Sequence, residues 1–258
     1  MTSEFEHVPV SVAGKTAVVV GGTSGIGRAI ARAFAADGAD VVASSRTEER
    51  VEETTAELRS LEASSVAVTC DVTDRDSLVA LYEATADEFG GVDVLVNSPS
   101  AIARRGLLDV TEEEWASVLG VQLTGVVRTC QTFARRMDGG SLVNISSLSS
   151  VVTMADLVAY STAKGAIDAF TRNAAKELAP EIRVNAIRPG YVATPQTADA
   201  YAEGSYRYER IRERAPMGRM ADPGEIAGAA IYLASDAASY TTGEILTVDG
   251  GFAASAFE

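Results

Sequence analysis

Tyr160 and Lys164 stand four residues apart in a stretch, 157–178, that reads as helix, so the spacing puts a phenol and an ammonium on one face. A phenol with a pKa near ~10 is a weak base at neutral pH, and a neighbouring positive charge favours its ionised form. Such a pair can exchange a proton with an oxygen that becomes an alkoxide, as hydride transfer to a carbonyl requires. A Tyr-x-x-x-Lys spacing alone also arises as a surface pair. Here Ser161, Ala163, Gly165 and Ala166 leave room around it, and Lys164 is one of three lysines in a chain that otherwise uses Arg. Ser147 follows the apolar run 141–145 and offers a hydroxyl for an oxygen where negative charge develops.

A second cluster suits a dinucleotide. Gly21, Gly22, Thr23, Ser24, Gly25, Ile26 and Gly27 follow an apolar run ending at Val20 and precede an amphipathic stretch with Ile30, Ala31 and Phe34 on one side. Glycines let the backbone turn tightly against a pyrophosphate, and a helix N-terminus supplies open N–H groups. Such a turn can serve packing alone, but strand before and helix after favour binding. The second run ends Ala43-Ser44-Ser45-Arg46. An acid there would select NAD(H), whereas an Arg accommodates a 2′-phosphate, so Ser45 and Arg46 favour NADP(H) over NAD(H). The competing use of Arg46 is an ion pair with Glu48 or Glu49.

These groups need a frame. Runs at 16–20, 40–43, 66–69, 93–96, 141–145, 182–187 and 245–248 are β-rich and continuously apolar, and they alternate with helical stretches. Strands buried on both faces have this composition. The expectation is a doubly wound, Rossmann-like α/β fold: a parallel sheet of seven strands with helices on both faces, in one domain spanning 1–258. Asp37-Gly38 should stop the first helix. Thr73 with Asp76, Thr111 with Glu114, and Asp222-Pro223 with Glu225 read as helix starts. The aperiodic segment 190–220 reads as a substrate lid.

Together the glycine turn, Ser147, Tyr160 and Lys164 resemble the classical short-chain dehydrogenase/reductase family, over roughly residues 12–251. Ser147 stands thirteen residues before Tyr160, as in the family. The resemblance implies a nicotinamide-dependent oxidoreductase in which Tyr160 is general acid or base, Ser147 holds the reacting oxygen and Lys164 also binds the nicotinamide ribose. It implies cofactor contacts at Asp71 and Val72, at Asn97, and at Pro189, Gly190, Val192 and Thr194. Asp71 also reads as a plain turn residue. Three departures stand out. Val20 replaces a Thr that helps hold the glycine turn. Ser98-Pro99-Ser100 replaces the Asn-Ala-Gly after Asn97. Gln122 replaces the Asn that completes a proton relay, and is its counterpart here. A non-catalytic NADP(H)-binding protein, or an enzyme of this fold doing epimerisation or dehalogenation, are the rival readings.

The net charge of −14 argues against nucleic-acid and anionic-membrane partners. No apolar run approaches a bilayer span, and the acidic start is unlike a targeting signal, so a cytoplasmic protein is expected. The acid excess fits a salt-loving source or an ordinary acidic protein. Cys70 and Cys130 lack metal-ligand spacing and read as buried thiols, His7 has no evident role, and no metal site is expected.

Around the lid, Tyr191, Arg207 and further Tyr and Arg residues join Arg104 and Arg105 as substrate candidates. Arg forks suit carboxylates. An anionic sugar acid is therefore the leading substrate, and the Arg pair resembles relatives acting on keto-deoxy sugar acids. The alternatives are surface arginines paired with Glu203, Glu209 and Glu213, and a 3-oxoacyl thioester on acyl carrier protein. The long small-residue stretches 112–137 and 157–178 imply, by the same resemblance, a homotetramer.

Overall fold

The computed structural model describes residues 7–198 and 201–255. The apolar runs pair into one parallel sheet whose strands are β1 (Thr16–Val20), β2 (Asp40–Ser44), β3 (Val94–Asn97), β4 (Gly140–Ile145), β5 (Ile182–Pro189) and β6 (Ile245–Val248). Their spatial order is β2-β1-β3-β4-β5-β6. Successive strand residues point to opposite faces, and both faces are covered. Ala17 and Val19 pack with Ile30 and Phe34 of α1 (Gly25–Ala36) and with Ile226 and Leu233 of α8 (Pro223–Ala234). Val18 and Val20 join Leu78 and Leu81 of α3 (Arg75–Phe89), Phe133 of α5 (Val126–Ala134) and Ile167 of α6 (Val158–Leu178).

From β1 the chain turns outward to β2, then returns to the other side of β1 as β3. This reversal opens a crevice beyond the carboxyl ends of the strands, where ligands of such sheets bind.

The sheet has six strands, not seven. Residues 66–69 lie beside β2 without forming a ladder. Backbone bonds join only the flanks, from Val41 N–H to the Ser64 carbonyl (3.0 Å) and from Cys70 N–H to the Ser45 carbonyl (2.9 Å). Between them the Ser44 hydroxyl donates to the Val68 carbonyl at 2.6 Å. The expected helix over 112–137 is likewise interrupted. It runs as α4 (Glu112–Leu119), a widened π turn (Gly120–Gly125) and then α5. Gly125 lies so close to Val72 that a Cβ would sit 2.6 Å from its methyl group.

The capping boxes at Thr111/Glu114 and Asp222/Glu225 form as expected, and Gly38 adopts φ 91° after α1. The cap of α3 moves to Asp74, which accepts from Asp76 N–H, because Thr73 gives its hydroxyl to Asp71 at 2.7 Å. The segment read as aperiodic contains a helix, α7 (Tyr206–Arg214), capped by Ser205. Residues 199 and 200 of that segment lie outside the described residues.

Candidate active site

A cleft of about 350 Å³ lies at the carboxyl ends of β1 to β5. Its floor is the glycine turn. Gly21 has φ 76° and Gly25 φ 51°, backbone that favours glycine. A Cβ on Gly27 would overlap the Gly21 carbonyl, and one on Gly21 would overlap that of Ser98. The turn is held without the missing Thr hydroxyl. Gly21 and Gly22 N–H both donate to the Ser44 carbonyl, at 2.8 and 3.1 Å, and Ser98 N–H donates to the Val20 carbonyl at 2.8 Å.

Ser24 precedes α1 and makes no side-chain cap bond, so the first N–H groups of that helix stay open toward the cleft. Ser24, Gly25 and Ile26 line it, and Gly25 brings that helix end within a Cβ's reach of Thr194. This donor set, with a backbone free of side chains, fits a pyrophosphate. Thr23 Oγ1 donates to Ser45 Oγ at 2.9 Å, and Ser45 and Arg46 line the same end.

No ion pair joins Arg46 to Glu48 or Glu49 among the described residues; its charge acts on Asp71 instead. Partial burial pushes the Asp71 carboxyl up, but two bonds from Thr73 and the Arg46 charge outweigh it and hold it below its ordinary value. Asp71 is thus both a turn residue and, with Val72, part of the cleft wall. Arg50, one turn into α2 (Glu48–Ser60), also lines this end. Its spacing of four from Arg46 is the signal that sequence reading passed over.

At the other end stand Ser147, Tyr160 and Lys164, all lining the cleft. Ser147 follows β4 and starts a short turn, accepting from Ser149 N–H at 3.2 Å. Burial pushes the Tyr160 phenol up from its ordinary value, and the nearby Ser147 hydroxyl and the Arg104 charge pull the other way without prevailing. Lys164 Nζ lies 5.6 Å from the Tyr160 ring centre and donates to the Ile145 carbonyl at 2.7 Å. The expected acidification of Tyr160 by Lys164 is corrected accordingly: the groups that lower the phenol are Ser147 and Arg104. Burial lowers Lys164 itself to about 7, against an opposing pull from Asp168.

Pro189, which ends β5, and Gly190, Val192 and Thr194 after it line the cleft. Three expected residues do not line it. Gly27 packs beneath the turn against the Gly21 carbonyl. Asn97 is buried and donates to Asn144 Oδ1 (3.0 Å) and Cys130 Sγ (3.3 Å), so it ties β3 to β4 and α5 beneath the cleft. Gln122 is fully buried in the π turn and donates through Nε2 to the Ala101 carbonyl at 3.0 Å. Its side chain anchors the loop after β3, while Val121 faces the cleft.

The substrate candidates separate. Arg104 and Tyr191 line both the cleft and an adjoining cavity of about 780 Å³. Arg207 lines only the second cavity. Arg105 turns away, pairing with Glu114 at 3.4 Å and bridging Leu157 through its backbone. Arg210 and Arg212 pair with Glu213 and Glu209 within α7, as the surface reading had it, whereas no ion pair engages Arg104 or Arg207 among the described residues. Tyr201, one of the lid tyrosines, packs edge-on against Tyr191 at 5.3 Å, beneath Arg104, and lines the cleft. No helix of the described residues is long and apolar enough to cross a membrane, and none of their His, Cys, Asp and Glu groups could hold a metal ion.

A family model described as enoyl-(acyl carrier protein) reductase matches residues 20–253. The cis-4-hydroxycyclohexanecarboxylate dehydrogenase of Sinomonas cyclohexanicum is 40% identical over 245 residues, covering 93% of this chain and 97% of that one. A structure from Beutenbergia cavernae, provisionally assigned as an NAD(P)-dependent gluconate 5-dehydrogenase and holding NADP at low occupancy, is 41% identical with a TM-score of 0.90, covering 96% and 100% of the two chains. A short-chain type dehydrogenase/reductase from Mycobacterium marinum superposes with a TM-score of 0.87 at 33% identity, over 94% and 97%. The chain belongs to the short-chain dehydrogenase/reductase family and is a nicotinamide-dependent oxidoreductase.

Proposed function

We propose that the chain moves a hydride between NADP(H) and a secondary alcohol or ketone that carries a carboxylate, such as a sugar acid. The observation that carries this reading is the meeting of Ser147, Tyr160 and Lys164 in one cleft with the glycine turn, bordered by Arg104, which no ion pair engages among the described residues. The bound nicotinamide supplies or takes the hydride. Tyr160 gives its phenolic proton to the carbonyl oxygen in reduction and takes it back in oxidation. Ser147 donates to the same oxygen as negative charge develops. Lys164, fixed by the Ile145 carbonyl, would bind the nicotinamide ribose and hold a proton beside the phenol.

Arg46, with Arg50 beside it, supports NADP(H) over NAD(H), since both line the end where Ser45 replaces an acid. Arg104 and Arg207 favour an anion, and the Sinomonas and Beutenbergia relatives named above act, by their assignments, on hydroxylated carboxylates. Segment 190–220 serves as the lid of one domain, and the enzyme works as a homotetramer, a reading supported by Leu107 and Leu108, 74% and 95% exposed ahead of α4.

A 3-oxoacyl thioester is the second reading, favoured by the volume of the second cavity and by Met154, Ile211 and Phe252 on its walls. Absorbance at the nicotinamide wavelength, recorded with sugar acids and with 3-oxoacyl thioesters, decides between them. Turnover of thioesters alone overturns the sugar-acid reading, and turnover of neither overturns both.

A further inference from the structure

Asp168 is a carboxylate buried in the half of the sheet that carries the chemistry, and nothing in the proton transfer described above employs it. Its side chain is 6% exposed. It stands four residues beyond Lys164, one turn along the same face of α6. One oxygen accepts the Ser146 hydroxyl at 2.5 Å, and the other takes an ion pair from Arg188 at 2.7 Å. The guanidinium is itself only 14% exposed and reaches further, donating to Ser150 Oγ at 2.9 Å and Thr247 Oγ1 at 3.1 Å.

Each partner adjoins a residue of the site. Ser146 precedes Ser147, and Ser150 ends the turn that Ser147 starts. Arg188 precedes Pro189 and Gly190 in β5. The two rungs between α6 and the end of β4 are consecutive: Lys164 Nζ holds the Ile145 carbonyl, and Asp168 holds the Ser146 hydroxyl. One carboxylate thus ties the strand end bearing Ser147, the helix bearing Tyr160 and Lys164, and the strand end leading to Gly190.

We propose that Asp168, clamped by Arg188 and Ser146, is the positioning residue that holds Lys164 in register with Ser147 and sets the charge its amine carries. The inference rests on the reading of Lys164 as part of the proton path. A buried ion pair is a poor source of stability, because desolvation offsets its attraction, so the pair at this place calls for another explanation. Asp168 supplies it by countering the burial that drives the lysine toward neutrality. Asp168 is the charged group that raises the amine. Tyr160 lies beside it on the same helix, β4 presents the Ile145 carbonyl and the Ser146 hydroxyl, and Arg188 from β5 is paired with Asp168. Arg188 therefore acts through Asp168, offsetting its charge, with the opposite sign.

The chain holds three lysines, so NMR of the protein labelled at lysine Cε reads Lys164 directly, apart from turnover. In Asp168→Asn the amine should titrate about one unit lower than in the wild type, and the alkaline limb of the reduction rate should move down with it. In Arg188→Gln, where the carboxylate acts unopposed, both should move up. Asp168→Glu keeps the charge and should restore both toward the wild type. A Lys164 titration unchanged in Asp168→Asn, or shifted the same way in both variants, overturns the proposal. Should Asp168→Asn fail to fold, Arg188→Gln carries the test alone: a titration that stays or falls overturns the proposal, and one that rises supports it. Titrations that shift as stated while activity ignores them leave the clamp standing and remove Lys164 from the proton path.

Discussion

Lys164 Nζ lies 5.6 Å from the centre of the Tyr160 ring and bonds the Ile145 carbonyl, so the amine is fixed beside the phenol without touching its hydroxyl. The Ser147 hydroxyl pulls the phenol down. On the proposed reading Ser147 would hold the substrate oxygen and Lys164 would serve the proton path.

Replacing Tyr160 by Phe removes the acid while keeping the ring. Turnover should fall by about a hundred- to ten-thousandfold, the usual contribution of a positioned proton donor. NADPH binding, followed by fluorescence titration, should be unchanged, because the glycine turn is at the opposite end of the cleft. Turnover within about tenfold of the wild type removes Tyr160 from the mechanism.

Burial lowers the Lys164 amine in the folded chain to about 7, from an ordinary value of 10.5. Between those values the unfolded chain holds a proton that the folded chain lacks, so this group makes stability rise with pH. Below about 7 both states are charged and the burial cost is felt in full. Tyr160, raised above its ordinary value of 10, acts in the reverse sense at higher pH, which closes the window there. Lys164→Met should therefore be more stable than the wild type near about pH 6.5, with the advantage shrinking by about pH 9.5. Denaturant melts of both proteins at the two pH values check it; a constant gap refutes it.

What sequence made legible follows from periodicity. Ala17 to Val20 read as a doubly buried strand because every second residue meets a different helix layer, and the structure has both layers. The glycine turn was readable because Gly21 and Gly27 sit where any Cβ collides with backbone. What escaped depends on which way a side chain turns. Val66 to Thr69 have strand composition, but backbone bonds reach β2 only at their flanks, from Val41 to Ser64 and from Cys70 to Ser45. Asn97 and Gln122 hold family positions, yet both side chains turn inward, to Asn144 and to the Ala101 carbonyl. Asp168 carries no local signal in the sequence, because its partner Arg188 comes from a strand twenty residues on.

Arg46 and Arg50 line the end of the cleft where a 2′-phosphate would sit, and no ion pair engages either among the described residues. A charge-assisted bond to phosphate is worth about 1.5–3 kcal/mol, so Arg46→Ala should cut kcat/KM for NADPH about ten- to a hundredfold. NADH, lacking the phosphate, should be little affected. Ser45→Asp in the same protein should move the preference toward NADH, since an acid there binds the free 2′-hydroxyl. Initial rates with both cofactors decide it. A wild-type enzyme that prefers NADH ends the assignment of NADP(H).

Arg104 is placed to act twice. It lines both the cleft and the second cavity, over the Tyr201 ring at 6.0 Å, and its charge is one of the two influences that lower the Tyr160 phenol. Arg104→Met should raise KM for carboxylate-bearing substrates about ten- to a hundredfold, the worth of a lost charge-assisted bond, and leave neutral alcohols near their wild-type KM. The second effect should not discriminate: with the guanidinium gone, the phenol rises further, and the pH above which alcohol oxidation becomes efficient should move up for every substrate. The two effects separate a specificity residue from a general one. A shift in the pH profile without a change in KM would leave Arg104 tuning Tyr160 while some other group, with Arg207 the nearest candidate in the second cavity, receives the anion.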